Sequence, residues 1–287
     1  MKKRSDSIWR QAAIGILALA VFTVGGFGTV VPRSVPATSG SAASSSRAIA
    51  VTFTDVIKSS GITFKQDSTQ TVEKYCLETM GTGVAWLDYD QDGLMDLLFV
   101  QSAATDICKP PHPLRCALCH NNGDGTFTDV AAKAGVGSEG LYRQGVAVGD
   151  FDNDRYSDLY VNGYGRAILC HNNGGGTFTD ITAKAGVADK GGWSARAGWF
   201  DYDKDGSLDL VVANYIEWTP KTNIWCGEHR PGYHSYCHPG NYNGQHIKLY
   251  HNNHDGTFRD VSDASGVGKP EAVKEDRGIV PRDFPRS

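Results

Sequence analysis

Three short segments of the chain carry aspartate at the same four positions. Numbered from 1 to 9, each has aspartate at positions 1, 3, 5 and 9: DYDQDGLMD begins at Asp88, DFDNDRYSD at Asp150 and DYDKDGSLD at Asp201. Four carboxylates this close together repel one another unless a cation lies among them. Ca²⁺ accepts about six to eight oxygen ligands in flexible loops, so the spacing predicts a calcium ion in each of these acidic loops. They are called loop 1, loop 2 and loop 3 below.

Alternate side chains of a tightly curled loop converge on one point, and the backbone carbonyl at position 7 adds a further oxygen. The predicted calcium ligands are therefore the carboxylates of Asp88, Asp90, Asp92, Asp96, Asp150, Asp152, Asp154, Asp158, Asp201, Asp203, Asp205 and Asp209, with the carbonyls of Leu94, Tyr156 and Ser207. An EF-hand begins in the same way but needs glutamate at position 12. This chain has Phe99, Val161 and Val212 there, within apolar strands, which excludes an EF-hand.

Position 6 of these loops is where a sharp turn is expected. Gly93 and Gly206 occupy it in loops 1 and 3, whereas Arg155 occupies it in loop 2. A residue other than glycine at positive φ costs on the order of 1 kcal/mol. Loop 2 is therefore predicted to bind calcium more weakly than the other two.

Seven cysteines in a chain predicted to be exported indicate disulfides with one thiol left over. Two pairs bracket short segments and are predicted to be bonded: Cys226 with Cys237, and Cys108 with Cys116. Cys119 and Cys170 occupy equivalent positions in successive repeats. They are predicted to lie beyond the roughly 7 Å that a disulfide allows between α-carbons, and so to remain reduced and buried.

Two other chemistries compete for the same cysteines. The string CALCH, residues 116–120, fits the C-x-x-C-H pattern of covalent haem attachment, but Cys119 and His120 recur in the next repeat as Cys170 and His171. Repetition therefore favours a structural role for them. A zinc site is the second alternative; its ligands would be Cys226, His229, His234 and Cys237. An oxidising compartment favours the disulfide over this site.

The acidic loops belong to a larger repeating unit. FTDVIKSSGI from Phe53, FTDVAAKAGV from Phe127, FTDITAKAGV from Phe178 and FRDVSDASGV from Phe258 read nearly alike. The last three follow the turns NNGDGTF, NNGGGTF and NNHDGTF, whose Asn/Gly clusters are typical of hairpins. One unit then reads strand, acidic loop, strand, strand, turn, strand, which is the four-stranded antiparallel sheet of a propeller blade.

The predicted fold class is all-β, with about three such blades in a partial ring and a separate strand at residues 53–56. Closed propeller rings commonly have about four to eight blades. The chain is therefore expected to be a truncated form of a longer propeller. The predicted domains are an N-terminal segment 1–46, repeats over 47–268, and a disordered tail 269–287 rich in charge and proline.

The N-terminal segment has the layout of an export signal. Lys2, Lys3 and Arg4 precede a long apolar run, and small residues suited to cleavage follow it. An uncleaved membrane anchor is the alternative, because roughly 20 apolar residues span a bilayer. Both place the repeats outside the cytosol, secreted, periplasmic or at the cell surface. Beyond this segment the chain is acidic, the wrong sign for nucleic acid.

These motifs resemble the FG-GAP/VCBS calcium repeats of integrin-α-like propellers, and most closely the cartilage acidic protein and ASPIC/UnbV group. The resemblance covers Phe53 to about Gly268, including ETMGTGVAWLDYD from Glu78 and the paired cysteines of WCGEHRPGYHSYCHP from Trp225. It implies a seven-bladed ring with one calcium per blade loop and a role in adhesion or extracellular interaction. The resemblance does not extend to the C-terminal domain that gives the group its name, so no role carried there is transferred.

An insertion at residues 214–245 supplies the candidate contact surface. Its aromatic residues Trp218, Trp225, Tyr233 and Tyr236 are predicted to contact an extracellular protein or glycan, or else to pack over the blade edge. The chain has no catalytic signature, so we predict a binding module and not an enzyme. The alternative is a polysaccharide-acting enzyme, or its substrate-binding domain, with a carboxylate pair such as Glu217 and Glu228.

Overall fold

Strands of the computed structural model, which describes residues 51–137 and 140–268, group into blades. In chain order they are β1 (Val84–Leu87), β2 (Asp96–Phe99), β3 (Ala117–Asn121), β4 (Phe127–Asp129), β5 (Tyr142–Gly149), β6 (Asp158–Tyr164), β7 (Ile168–Asn172), β8 (Phe178–Asp180), β9 (Ser194–Phe200), β10 (Asp209–Asn214), β11 (Cys226–Gly227), β12 (His234–Ser235), β13 (Lys248–Asn252) and β14 (Phe258–Asp260). The α-helices are α1 (Ile57–Ser60), α2 (Ala131–Ala134), α3 (Thr182–Ala185) and α4 (Ser262–Ser265). Short 3₁₀ helices lie at Cys76–Thr79, Pro220–Thr222 and Pro239–Asn241.

Three four-stranded antiparallel sheets form the blades. Blade 1 has the order β1-β2-β3-β4, blade 2 the order β5-β6-β7-β8, and blade 3 the order β9-β10-β13-β14. Each acidic loop joins the first two strands of its blade, and each Asn/Gly turn joins the last two. The predicted all-β blade is therefore confirmed. The described residues form three blades and no closed ring.

Local side-chain hydrogen bonds explain why the repeated sequence ends each blade in the same way. At the turn of blade 1, Asn121 Oδ1 accepts the N–H of Gly123 at 3.0 Å, and Gly123 has φ +79°. After β4, Asp129 Oδ1 accepts the N–H of Ala131 at 3.0 Å and begins α2, which stops at Gly135 with φ +82°. Asp180 and Asp260 make the same bond before α3 and α4. The motif FTDVxxxxG thus encodes a strand, an Asp turn and one helical turn.

The first copy of that motif keeps the turn and loses the strand. Asp55 Oδ1 accepts the N–H of Ile57 at 3.0 Å, and Gly61 closes α1 with φ +75°. Residues 53–56 form no strand, and Phe53 is 93% exposed. The strand predicted there is wrong, because no neighbouring strand among the described residues offers the hydrogen bonds that a sheet needs.

The hydrophobic core lies between successive blades. Leu118 of blade 1 and Leu159 of blade 2 are fully buried in one shared cluster. Tyr160 of blade 2 and Leu210 of blade 3 are fully buried in the next. A Cβ atom at Gly149 would lie 2.7 Å from the ring of Trp199, so glycine is needed at this contact between blades 2 and 3. Successive residues of the blade 2 strands therefore pack into two different cores, one on each side of the blade.

The insertion packs against the segment that precedes blade 1. Trp218 is buried beside Tyr75, with ring centroids 5.2 Å apart. Asn223 Nδ2 donates to the carbonyl of Glu73 at 3.0 Å, and the Tyr236 hydroxyl donates to Glu78 Oε2 at 2.8 Å. These contacts hold the insertion to a fixed place on the blades.

Several predictions concern residues that the structure does not describe. The export signal or anchor at 1–46 and the tail at 269–287 both lie outside the described residues. Within the described part of the chain, no helix combines the length and apolar character needed to cross a membrane.

Candidate metal centres

Loop 1 is curled around the carboxylate at its first position. Asp88 accepts the N–H groups of Asp92 at 3.1 Å and Gly93 at 3.0 Å. Asp92 Oδ1 in turn accepts the N–H of Leu94 at 2.8 Å. Asp96, the first residue of β2, accepts the N–H of Tyr89 at 3.2 Å. These bonds direct the aspartates of one loop toward a common centre.

Loops 2 and 3 repeat this hydrogen-bond pattern residue for residue. In loop 2 the pairs are Asp150 with Asp154 and Arg155, Asp154 with Tyr156, and Asp158 with Phe151; in loop 3 they are Asp201 with Asp205 and Gly206, Asp205 with Ser207, and Asp209 with Tyr202. Three copies of one geometry follow from three copies of one spacing.

The backbone at position 6 is left-handed in every loop. The φ angles are +85° at Gly93, +77° at Arg155 and +91° at Gly206. Glycine adopts this conformation freely, whereas arginine has a Cβ that clashes with the backbone. Loop 2 therefore contains the backbone strain that its sequence predicts.

The aspartate at position 9 is the buried member of each cluster. The side chains of Asp96 and Asp158 are 0% exposed. Burial raises the pKa of Asp96, and it raises the pKa of Asp158 to about 7. A carboxylate held in such a place is stabilised in its charged form by a nearby cation.

Each cluster also contains a histidine, which the sequence analysis did not assign to it. His120 Nδ1 lies 3.3 Å from Asp96 Oδ1 and 3.5 Å from Asp90 Oδ2. His171 and His251 stand at the same strand position in their blades. Their Nδ1 atoms both lie 3.2 Å from the position 9 carboxylate and 3.5 and 3.4 Å from the position 3 carboxylate. The available signal was the string His-Asn-Asn at one place in every repeat.

The donor atoms fit a bound cation. In the groups Asp88, Asp90, Asp96 and Asp150, Asp152, Asp154, one oxygen from each carboxylate lies within 4.8 Å of the others. Asp90 Oδ1 is buried and has no hydrogen-bond partner. An oxygen-rich set of this kind suits Ca²⁺. The carbonyls of Leu94, Tyr156 and Ser207 remain predicted ligands.

The acidic loops contact one another across the blades. Gln91 Nε2 in loop 1 donates to the carbonyl of Arg155 in loop 2 at 2.6 Å. Asn153 Nδ2 in loop 2 donates to the carbonyl of Gly206 in loop 3 at 3.3 Å. The three candidate centres therefore form a linked row.

Buried asparagines add a second link between blades. Asn172, at the end of β7, donates through Nδ2 to the carbonyl of Tyr89 in loop 1 at 2.9 Å. Asn252, at the end of β13, donates in the same way to the carbonyl of Phe151 in loop 2 at 2.7 Å. Each acidic loop in these two pairs is fixed in part by the following blade.

The predicted disulfides have different outcomes. Cys226 and Cys237 are bonded, with α-carbons 5.3 Å apart, so the alternative zinc site loses both of its thiolates. Cys108 and Cys116 are free thiols, and the bond predicted between them is wrong. Cys116 immediately precedes β3 and is buried in the core between blades 1 and 2, whereas Cys108 lies in a partly exposed loop.

Cys119 and Cys170 are also free and buried, as predicted. Burial raises the pKa of Cys119 to about 11 and that of Cys170 to about 12. Cys119 belongs to a cluster on the opposite face of blade 1 from Cys116. One haem cannot bond to two thiols on opposite faces of a sheet, which removes the haem alternative for this fold.

The aromatic residues of the insertion divide into packing and exposed groups. Trp218 is only 3% exposed, so its predicted contact with a ligand is wrong and it serves the core. The Tyr236 hydroxyl is bonded to Glu78. Trp225 and Tyr233 are exposed, and the Trp225 ring stacks on His234 with centroids 4.0 Å apart.

The two glutamates considered for catalysis contact different partners. Glu217 Oε2 accepts from Asn243 Nδ2 at 3.1 Å. Glu228 pairs with Arg230 at 2.7 Å on an exposed loop. The two glutamates are therefore engaged by different neighbours.

Comparison with known proteins identifies the repeat. A model of the FG-GAP-like repeat matches residues 113–161 and 150–212, which contain loops 2 and 3 and the turns of blades 1 and 2. Residues 113–212, from the end of blade 1 into blade 3, are therefore similar to FG-GAP-like repeats.

The chain is also similar to proteins of the cartilage acidic protein group. Cartilage acidic protein 1 of Mus musculus is 38% identical over 103 residues, which is 36% of this chain and 14% of that protein. The Xenopus tropicalis protein of the same name is 30% identical over 155 residues, 52% of this chain and 22% of that protein. The predicted resemblance to this group is confirmed, and the match spans less than a quarter of the relatives' length.

Among solved structures, one match is an Agrocybe aegerita lectin described as recognising non-reducing terminal N-acetylglucosamine. It has a TM-score of 0.30 and 19% identity, and it covers 61% of this chain and 36% of that chain.

Proposed function

We propose that the chain is an extracellular calcium-binding propeller module that contacts a protein or glycan partner. The observation that carries the proposal is the threefold recurrence of one carboxylate geometry, linked from blade to blade by hydrogen bonds between the loops. The similarity to cartilage acidic protein 1 supports an extracellular place of action. The export signal or anchor predicted at residues 1–46 supports it independently.

Calcium in the acidic loops would act as a structural ion. The carboxylates of Asp88, Asp90, Asp92 and Asp96 would hold it in loop 1, and the equivalent residues would hold it in loops 2 and 3. The ion would offset the repulsion among these charges and stabilise the folded state, because the unfolded chain does not bring them together.

The melting temperature tests this proposal. A chelator is expected to lower it, and Ca²⁺ is expected to restore it more fully than Mg²⁺, which demands a tighter octahedron. Asp90→Asn should weaken rescue by Ca²⁺, since it removes a ligand charge but none of the bonds that curl loop 1. Asp263→Asn, at an exposed position in α4, is the matched control. Equal rescue by both ions, or equal effects of both variants, would contradict the proposal.

The partner surface is proposed to include Trp225 and Tyr233. Both are exposed on a loop that the Cys226–Cys237 disulfide restrains, and exposed aromatic residues on a restrained loop suit protein or glycan contact. Trp225→Ala should abolish saturable binding in a screen of extracellular glycans and proteins. Trp86→Ala, an exposed tryptophan on blade 1, should leave binding intact. Release of product from a polysaccharide would instead favour an enzyme.

A further inference from the structure

The three histidines beside the acidic loops lie where a metal ligand would lie. We propose that His120, His171 and His251 bind metal through Nδ1, so that each loop is a mixed nitrogen and oxygen site that takes divalent first-row transition ions of the Co²⁺ and Zn²⁺ class as well as Ca²⁺. This inference rests on the proposed function, because it takes the loops as metal sites.

Distances between the donor atoms support the assignment. The Nδ1 atoms lie 3.2–3.3 Å from the position 9 carboxylates and 3.4–3.5 Å from the position 3 carboxylates. Neighbouring ligands on a cation with bonds of about 2.1–2.5 Å lie about 3.0–3.5 Å apart. The observed separations are therefore those of adjacent corners of one coordination shell.

Unsatisfied atoms point to the same centre. The Nδ1 atoms of His120 and His251 are buried and lack hydrogen-bond partners, and so does Asp90 Oδ1, whereas His171 Nδ1 is hydrogen-bonded to Asp158 Oδ1 at 3.2 Å. A buried ring nitrogen without a partner costs free energy unless something occupies its lone pair. A metal ion among the carboxylates would satisfy the nitrogen and the oxygen together.

The fold fixes the direction of each imidazole. The residue after each histidine donates its backbone N–H to the buried position 9 carboxylate, at 2.8 Å for Asn121, 2.8 Å for Asn172 and 2.9 Å for Asn252. The aromatic residue at position 2 of the loop meets the imidazole edge to face, with ring centroids 5.9 Å apart for Tyr89 and His120. The pairs Phe151–His171 and Tyr202–His251 are equivalent, at 6.2 and 5.9 Å. These contacts hold each ring so that Nδ1 faces the position 9 and position 3 carboxylates of its loop.

Imidazole changes which ions the loops prefer. Oxygen-only sites suit Ca²⁺, whereas imidazole suits Zn²⁺ and its neighbours in the first transition row. Loop 3 has a second imidazole beside it, since His254 Nε2, in the turn of blade 3, lies 2.9 Å from Asp205 Oδ2. It should therefore bind Co²⁺ most tightly of the three.

Co²⁺ alone is the probe, because a histidine bound to it gives proton NMR signals shifted far from the normal range. The wild-type protein should give shifted imidazole N–H signals that disappear in D₂O. Each of His120→Asn, His171→Asn and His251→Asn should remove one set and raise the Co²⁺ dissociation constant at that loop at least about tenfold. The Ca²⁺ constant should change less than about threefold, since asparagine offers an oxygen in place of the nitrogen. His246→Asn, at an exposed position in the insertion's flank, should change neither constant.

The outcomes separate the two proposals. Ca²⁺ binding without shifted imidazole signals from Co²⁺ would overturn the nitrogen ligands and leave the proposed calcium module intact. Histidine variants that keep the wild-type ratio of Co²⁺ to Ca²⁺ affinity would also overturn the nitrogen ligands. Absence of binding by both ions would overturn the proposed function itself. The proton NMR spectrum of the wild-type protein with Co²⁺ tests the histidine ligands even where a variant fails to fold.

Discussion

Single residues within each acidic loop have separate tasks. The aspartates at positions 1, 5 and 9 accept backbone N–H groups and so shape the loop, as Asp88, Asp92 and Asp96 do in loop 1. Asp90, at position 3, leaves one carboxylate oxygen without a hydrogen bond. A loop shaped by three carboxylates thus presents the fourth to a cation.

Substitutions of Arg155 test whether backbone strain weakens calcium binding at loop 2. Arg155→Gly should relieve a left-handed arginine with φ +77°, a cost on the order of 1 kcal/mol, and also remove a positive charge near the ion. Calcium binding at loop 2 should therefore become several times tighter, measured by calorimetric titration. Arg155→Ala removes the charge but keeps a Cβ, so it should show a smaller gain. A glycine variant that binds no more tightly than the alanine variant would contradict the role assigned to backbone strain.

The elements that the sequence predicts correctly are those formed by hydrogen bonds between residues close in sequence. The Asn121 turn and the Asp129 bond that begins α2 need only residues close in sequence, so the hairpins and loops could be located in advance. His120 could not be assigned to loop 1, because a strand register spanning 24 residues brings it beside Asp96. The disulfide predicted for Cys116 is wrong for a related reason, since the place of Cys116 between two blades depends on how the sheets stack.

The disulfide of the insertion provides the test at this scale. Replacing both Cys226 and Cys237 with serine should lower the free energy of unfolding by about 3 kcal/mol in the chain-entropy model. Contacts of the insertion with Glu73 and Glu78 should loosen at the same time. Urea unfolding monitored by tryptophan fluorescence measures the loss. Cys108→Ser is the control and should have little effect; an equal loss there would contradict the assignment of Cys108 as a free thiol.

At the scale of the whole molecule, the three blades share one row of candidate metal centres. The loops are joined by side-chain bonds such as Gln91 to Arg155, and buried asparagines tie loop 1 to blade 2 and loop 2 to blade 3. An ion in loop 1 or loop 2 would therefore restrain a segment to which the next blade is bonded. The spacing of the sequence motifs does not predict these bonds between blades, because each bond joins residues far apart in sequence.

Asn172 tests the link between blades. Asn172→Ala removes the bond to the Tyr89 carbonyl of loop 1 as well as the bond to Ser157 within its own blade. Asn121→Ala removes the equivalent bond within blade 1, to Met95, and is the matched control. Leaving a buried carbonyl unpaired costs about 1–3 kcal/mol, so Asn172→Ala should lower the free energy of unfolding by that much more than the control. Equal losses would contradict the proposed linkage.

The number of calcium ions bound per folded chain tests the three candidate metal centres together. Equilibrium dialysis at millimolar Ca²⁺ should find three ions on the wild-type protein and two on Asp90→Asn, with loop 2 filling last. Folded protein that binds no calcium at this supply would contradict the claim that the recurring carboxylates form metal centres.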